Sequence, residues 1–117
     1  MGVALGLLLA LPASAAPSAD QTLVISCQFD PMESGAGVVA GGLGGVGVWL
    51  RYDLSGQTVY FRNGTQIRLS KMDSDTLEFE EQEFTVSYHR DSGDLISHDG
   101  KTGNDATFHC VPIVHQN

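Results

Sequence analysis

The chain has 117 residues, 42% of them apolar, with 14 Asp plus Glu against 6 Lys plus Arg, a formal net charge of -8 and two cysteines. A chain of this length forms one small domain that buries about 60–70% of the surface its unfolded form exposes, which argues against a deep cleft between domains. The negative charge disfavours nucleic acid and anionic membranes, both of which attract clustered Lys and Arg, and makes a basic protein the easier partner.

Residues 1–15 read as a secretory signal: Val3 to Leu11 is an uncharged apolar run, followed by Pro12 and the small residues Ala13-Ser14-Ala15 of an A-x-A cleavage site. No Lys or Arg precedes the run. Cleavage there leaves residues 16–117 as a single β domain, periplasmic or secreted. In such an oxidising compartment Cys27 and Cys110 are expected to form a disulfide. A bridge of that span is worth roughly 4–5 kcal/mol by loop-closure entropy.

From Thr22 to Phe29 the residues alternate, with Leu23, Ile25, Cys27 and Phe29 on one face, the period of a half-buried strand that Pro31 ends. Seventeen uncharged residues from Ser34 to Leu50 then include seven glycines. Gly37, Gly41 and Gly45 recur at every fourth position, a pattern that suits helices packed in lipid. Seven glycines, however, cost such a helix about 6–7 kcal/mol relative to alanine, so residues 34–47 are read as a glycine-rich loop without stable membrane insertion. The run lacks Gly-Lys-Ser/Thr, so no phosphate loop and no cofactor is expected.

Val48, Leu50 and Tyr52 share one face of the next strand, and Leu54-Ser55-Gly56 turns the chain into Gln57 to Arg62. Asn63-Gly64 predicts a two-residue type I′ hairpin with Tyr60 opposite Ile67 and Arg62 opposite Thr65. Asn63-Gly64-Thr65 is also a glycosylation sequon, but the turn accounts for the same residues. Lys71 to Asp75 reads as a loop. Leu77 and Phe79, then Phe84, Val86 and Tyr88, mark two more alternating strands. Asp91-Ser92-Gly93-Asp94 turns into Leu95 to His98, and Gly100 to Asp105 turns into Ala106 to Ile113. The pattern predicts an all-β fold, a small antiparallel sandwich or barrel of about seven to eight meandering strands with one disulfide.

His89, His98, His109 and His115 form no short chelating pair, so no metal site is expected. Ser87 or Ser92 with a histidine and an aspartate could be imagined as a triad, but no Gly-x-Ser-x-Gly elbow is present. The carboxylates near Glu81 could be imagined as those of a glycosidase, but they lie at a solvated hairpin. No catalytic set is therefore expected. The more useful feature is Asp73, Asp75, Glu78, Glu80, Glu81 and Glu83, six carboxylates within eleven residues that contain no cation. They make a solvated face or a dock for a basic protein.

A small exported β domain with Cys near each end, an acidic surface and the run Ser92-Gly93-Asp94-Leu95-Ile96 resembles the periplasmic inhibitors of c-type lysozyme. That family carries a Ser-Gly-x-x-Tyr-x-x-Gly signature, and Ile96 stands here in place of its tyrosine. The resemblance implies a basic enzyme as target and an inhibitory role for Ser92. The leading expectation is an exported, non-enzymatic binding module of the bacterial envelope, acting through the acidic hairpin or the glycine-rich loop.

Overall fold

Alternating apolar and polar residues give strands with one buried and one solvated face. The computed structural model describes residues 21–35 and 46–113; the signal segment and residues 36–45 of the glycine-rich run lie outside them. The elements in chain order are β1 (Thr22–Phe29), α1 (Pro31–Ser34), β2 (Gly47–Asp53), β3 (Thr58–Phe61), β4 (Gln66–Arg68), β5 (Lys71–Met72), β6 (Thr76–Glu81), β7 (Phe84–His89), β8 (Asp94–Asp99) and β9 (Asp105–Pro112).

All nine strands belong to one antiparallel sheet in the order β4-β3-β2-β1-β9-β8-β7-β6-β5. Three strands, β2 to β4, meander away from β1, and the remaining five return so that β9 pairs with the other side of β1. The two outermost strands are joined through Leu69 and Ser70. The Leu69 N–H donates to the Gln57 carbonyl and the Ser70 N–H to the Glu78 carbonyl, both at 2.8 Å. Residues 66–72 thus run as one extended segment that pairs first with β3 and then with β6, and the sheet curls so that its edges meet there. Closure of this kind leaves few unpaired edges. The expected loop at Lys71 to Asp75 is corrected at its start, where Lys71–Met72 pairs with Leu77 and Glu78.

The inner face is the core. Ile25, Leu50, Tyr52, Val59, Leu77, Phe79, Val86, Leu95 and Phe108 expose no surface, and each such side chain contributes about 1.5–3 kcal/mol. Phe61 packs edge-on against Phe79 with ring centroids 5.7 Å apart, and Tyr52 stacks on Tyr88 at 6.1 Å. Cys27 and Cys110, both buried, are bonded to each other across the β1–β9 pair.

Two local expectations change. The hairpin after β3 pairs Tyr60 with Gln66 and Val59 with Ile67, and the Phe61 N–H donates to the Thr65 carbonyl. The loop therefore holds three residues, Arg62-Asn63-Gly64, with only Gly64 at positive φ (95°), the geometry of a type I turn followed by a glycine bulge. One residue of register decides the faces: Val59, Phe61 and Ile67 pack on the core, while Tyr60 pairs with Arg51 and Gln66 on the outer face. Second, Pro31 ends β1 by starting a helical turn. Asp30 caps it, its Oδ1 accepting from the N–H groups of Met32 (2.9 Å) and Glu33 (3.3 Å). The turn continues beyond the end of β1, and Ser34 Oγ accepts the Thr107 N–H at 2.7 Å, a β9 donor that β1 no longer reaches.

Candidate functional site

The core side chains fill the inner face, so polar chemistry is concentrated on the outer surface and at the two ends of the sheet. The six carboxylates of the acidic run do not form one patch. Glu78 and Glu80 project outward from β6, whereas Glu81, the next residue, turns the opposite way, and its Oε1 is buried without a hydrogen-bond partner. Glu83 lies in the β6–β7 turn. Asp73 and Asp75 lie in the turn before β6, where Asp73 Oδ1 accepts the N–H groups of Asp75 (2.9 Å) and Thr76 (2.8 Å). Those two bonds, aided by Lys71, hold the Asp73 carboxyl below its ordinary value despite a partial desolvation effect. Lys71 makes the one ion pair to this group among the described residues, at 3.9 Å to Asp73.

Ser92 lies in the β7–β8 turn, exposed, its Oγ accepting the Asp94 N–H at 3.3 Å. The Arg90 N–H donates to the Asp75 carbonyl at 2.8 Å. This bond sets the Ser92 turn beside the Asp73–Asp75 turn, so the acidic run and the Ser92-Gly93 run share one end of the sheet. Gly93 is a structural requirement there. Its φ is 81°, its carbonyl accepts the Cys110 N–H, and a Cβ would come within 3.1 Å of the Cys110 carbonyl oxygen.

The residues considered for a triad are engaged in separate local contacts. His98 Nδ1 meets Asp105 Oδ1 at 2.6 Å, while Ser92 bonds backbone. His109 stands between two carboxylates, with Nε2 2.7 Å from Asp30 Oδ2 and Nδ1 2.8 Å from Asp94 Oδ1. These bonds from Asp94 and then Asp30 raise the histidine's pKa, since each nitrogen donates only when protonated. Glu33 is near, and Asp30, Glu33 and His109 each bring a ligand atom within 4.8 Å of the others, close enough to hold a metal ion. The array joins residues 79 positions apart, a proximity no local spacing in the sequence could reveal.

A second outer surface has the opposite charge. Arg51, directly opposite Tyr60 on β3, places its guanidinium 4.1 Å from that ring's centroid. One step along, Arg62 lies 5.2 Å over Trp49, and Arg68 follows on β4 opposite Thr58. Beside Trp49 and Arg62 an open groove of about 230 Å³ is lined also by Ser26, Gln28 and Gly47. Net charge concealed this face, because cation clustering depends on strand register. The chain matches no family model, no curated protein and no solved structure.

Proposed function

We propose that the chain is an exported, non-enzymatic binding module of the bacterial envelope that docks a basic protein against the carboxylates of β6 and its flanking turns. The carrying observation is that Glu78 and Glu80 leave the same outer face of β6, with Asp73, Asp75 and Glu83 exposed at its ends and a single long ion pair to Lys71. Carboxylates left without counter-charges produce a strong negative local potential, which steers a cationic partner and sets its orientation. Export is supported by the disulfide, a bond that persists in oxidising compartments.

The test is calorimetric titration of the purified chain with a c-type lysozyme, used as a basic probe, at low and at high salt. Binding should weaken steeply with salt, and the Glu78→Gln, Glu80→Gln double variant should weaken it several-fold at low salt. Affinity that is absent at micromolar protein, or indifferent to salt, refutes the docking surface.

A second reading, inhibition of c-type lysozyme, is favoured by the Arg90–Asp75 bond that places Ser92 beside the acidic turn. It requires that the chain slow lysis of a cell-wall suspension and that Ser92→Ala relieve the effect. Binding without slowed lysis retains the docking role and removes the inhibitory one.

A further inference from the structure

We infer that the outer face of β2, β3 and β4 is a second binding site, for a linear acidic oligosaccharide whose alternate sugars carry carboxylates. The register builds it in levels. Ser26 pairs with Trp49, over which Arg62 lies; Val24, Arg51, Tyr60 and Gln66 form the next level; Asp53, Thr58 and Arg68 form the third. Levels two residues apart are about 6.8 Å apart along a strand. Each supplies one guanidinium, so three of the chain's six cations share this face, one at each level and each from a different strand.

Two of these guanidiniums rest on aromatic rings, at 4.1 Å and 5.2 Å. Stacking restrains a guanidinium while leaving its N–H edge directed outward, the edge that takes a carboxylate in two parallel hydrogen bonds. In a chain with 14 acidic residues, none of the three arginines is in an ion pair among the described residues. Asp53, the acid at this face, turns its Oδ1 to Ser55 Oγ (3.0 Å) and to the Gly56 N–H (3.2 Å). All three guanidiniums are therefore free to meet a ligand's anion.

The adjoining groove describes the rest of that ligand. Ser26 offers a hydroxyl, Gln28 an amide, Arg62 a guanidinium and Trp49 a flat ring, within about 230 Å³ open to solvent. Many polar groups around one ring suit a hydroxylated ring better than a lipid chain. Charge spacing favours a ligand sparser than a nucleic acid strand with a phosphate on every nucleotide, because neighbouring arginine positions lie about 8 Å and about 12 Å apart across the three strands. The chain's net charge of -8 also repels so dense a polyanion. A glycan with a carboxylate only on alternate sugars is sparse enough.

Trp49 is the chain's single tryptophan, so its fluorescence reads the site directly. The full chain should be titrated with a hyaluronan oligosaccharide, which carries a carboxylate on alternate sugars, a neutral glucan oligomer of equal length and an oligothymidylate, with calorimetry in parallel. The expected result is saturable binding of the acidic sugar alone. Arg51→Gln with Arg62→Gln should weaken it at least about tenfold, as loss of charge-assisted hydrogen bonds predicts. Arg62→Lys should fall between, and Glu78→Gln with Glu80→Gln should leave it unchanged. No saturable binding at millimolar acidic sugar, equal binding of the neutral oligomer, or equal affinity in the double arginine variant overturns the assignment. Saturation by oligothymidylate instead assigns the face to nucleic acid and overturns it as well.

Discussion

Cys27 and Cys110 face each other as direct partners across the β1–β9 pair, so the bond between them joins the first strand to the last, 83 residues later. It fixes the junction at which the returning meander meets its start. Replacing both residues with alanine restores the loop-closure entropy of the unfolded chain, about 4–5 kcal/mol, and removes buried contacts as well. The expected outcome is a large fall in the urea midpoint, matched by reduced wild type. A loss below about 1 kcal/mol would show that strand pairing and core packing hold this junction without the bond.

Tyr52→Phe should stabilise the fold. The Tyr52 side chain is fully buried and its hydroxyl has no hydrogen-bond partner. Burial, and then the neighbouring Tyr88, drive its pKa strongly upward, so it stays neutral. A buried hydroxyl without a partner costs about 1–3 kcal/mol, and phenylalanine preserves the stacking on Tyr88. A gain of about 1 kcal/mol in unfolding free energy is expected. A loss of stability would reveal an enclosed water bonded to the hydroxyl.

The faces of the long strands were legible because period-two alternation survives in sequences such as Leu23-Val24-Ile25-Ser26-Cys27, where every second residue is inward. The acidic run was legible as composition, yet not as a surface, because Glu80 and Glu81 point opposite ways. Asn63-Gly64 announces a turn but does not choose between two-residue and three-residue loops. That choice sets which residues of β4 face outward, bringing Gln66 and Arg68 rather than Ile67 to the outer row, while the Arg51–Tyr60 pair follows from the β2–β3 register. The Asp30–His109–Asp94 array depends on β9 returning to β1, a long-range pairing with no local signal.

Gly93→Ala should cost more than Gly64→Ala, although both glycines have positive φ, at 81° and 95°. A Cβ at Gly64 meets open space, so that variant carries only the conformational penalty, about 1 kcal/mol. At Gly93 the added carbon lies 3.1 Å from the Cys110 carbonyl oxygen and strains a hydrogen-bonded turn. About 2–3 kcal/mol is expected there. Equal effects in thermal unfolding would mean that the β7–β8 turn shifts without cost, and that Ser92 is not rigidly placed.

The His109 array gives stability a pH dependence with a definite sign. Hydrogen bonds to Asp94 and Asp30, together with their charges, raise the histidine above its ordinary 6.5 against a smaller desolvation effect. A raised folded value means that the native state holds the proton more tightly than the unfolded chain. The contribution is therefore complete below about pH 6.5 and is lost as pH rises through the folded value. Asp30 behaves in the opposite sense. Desolvation pushes its pKa up, but the N–H groups of Glu33 and Met32 together with His109 outweigh it, leaving the carboxyl below 3.8. Its contribution is lost only as pH falls through that lower value. Between these limits the imidazolium ties β9 to the cap of α1 and to β8, with Glu33 adding negative charge nearby. With a chelator present, the wild-type melting temperature should fall from pH 6 to pH 8 more than that of His109→Gln. Parallel curves for the two proteins would mean that the tie is too solvated to hold its proton.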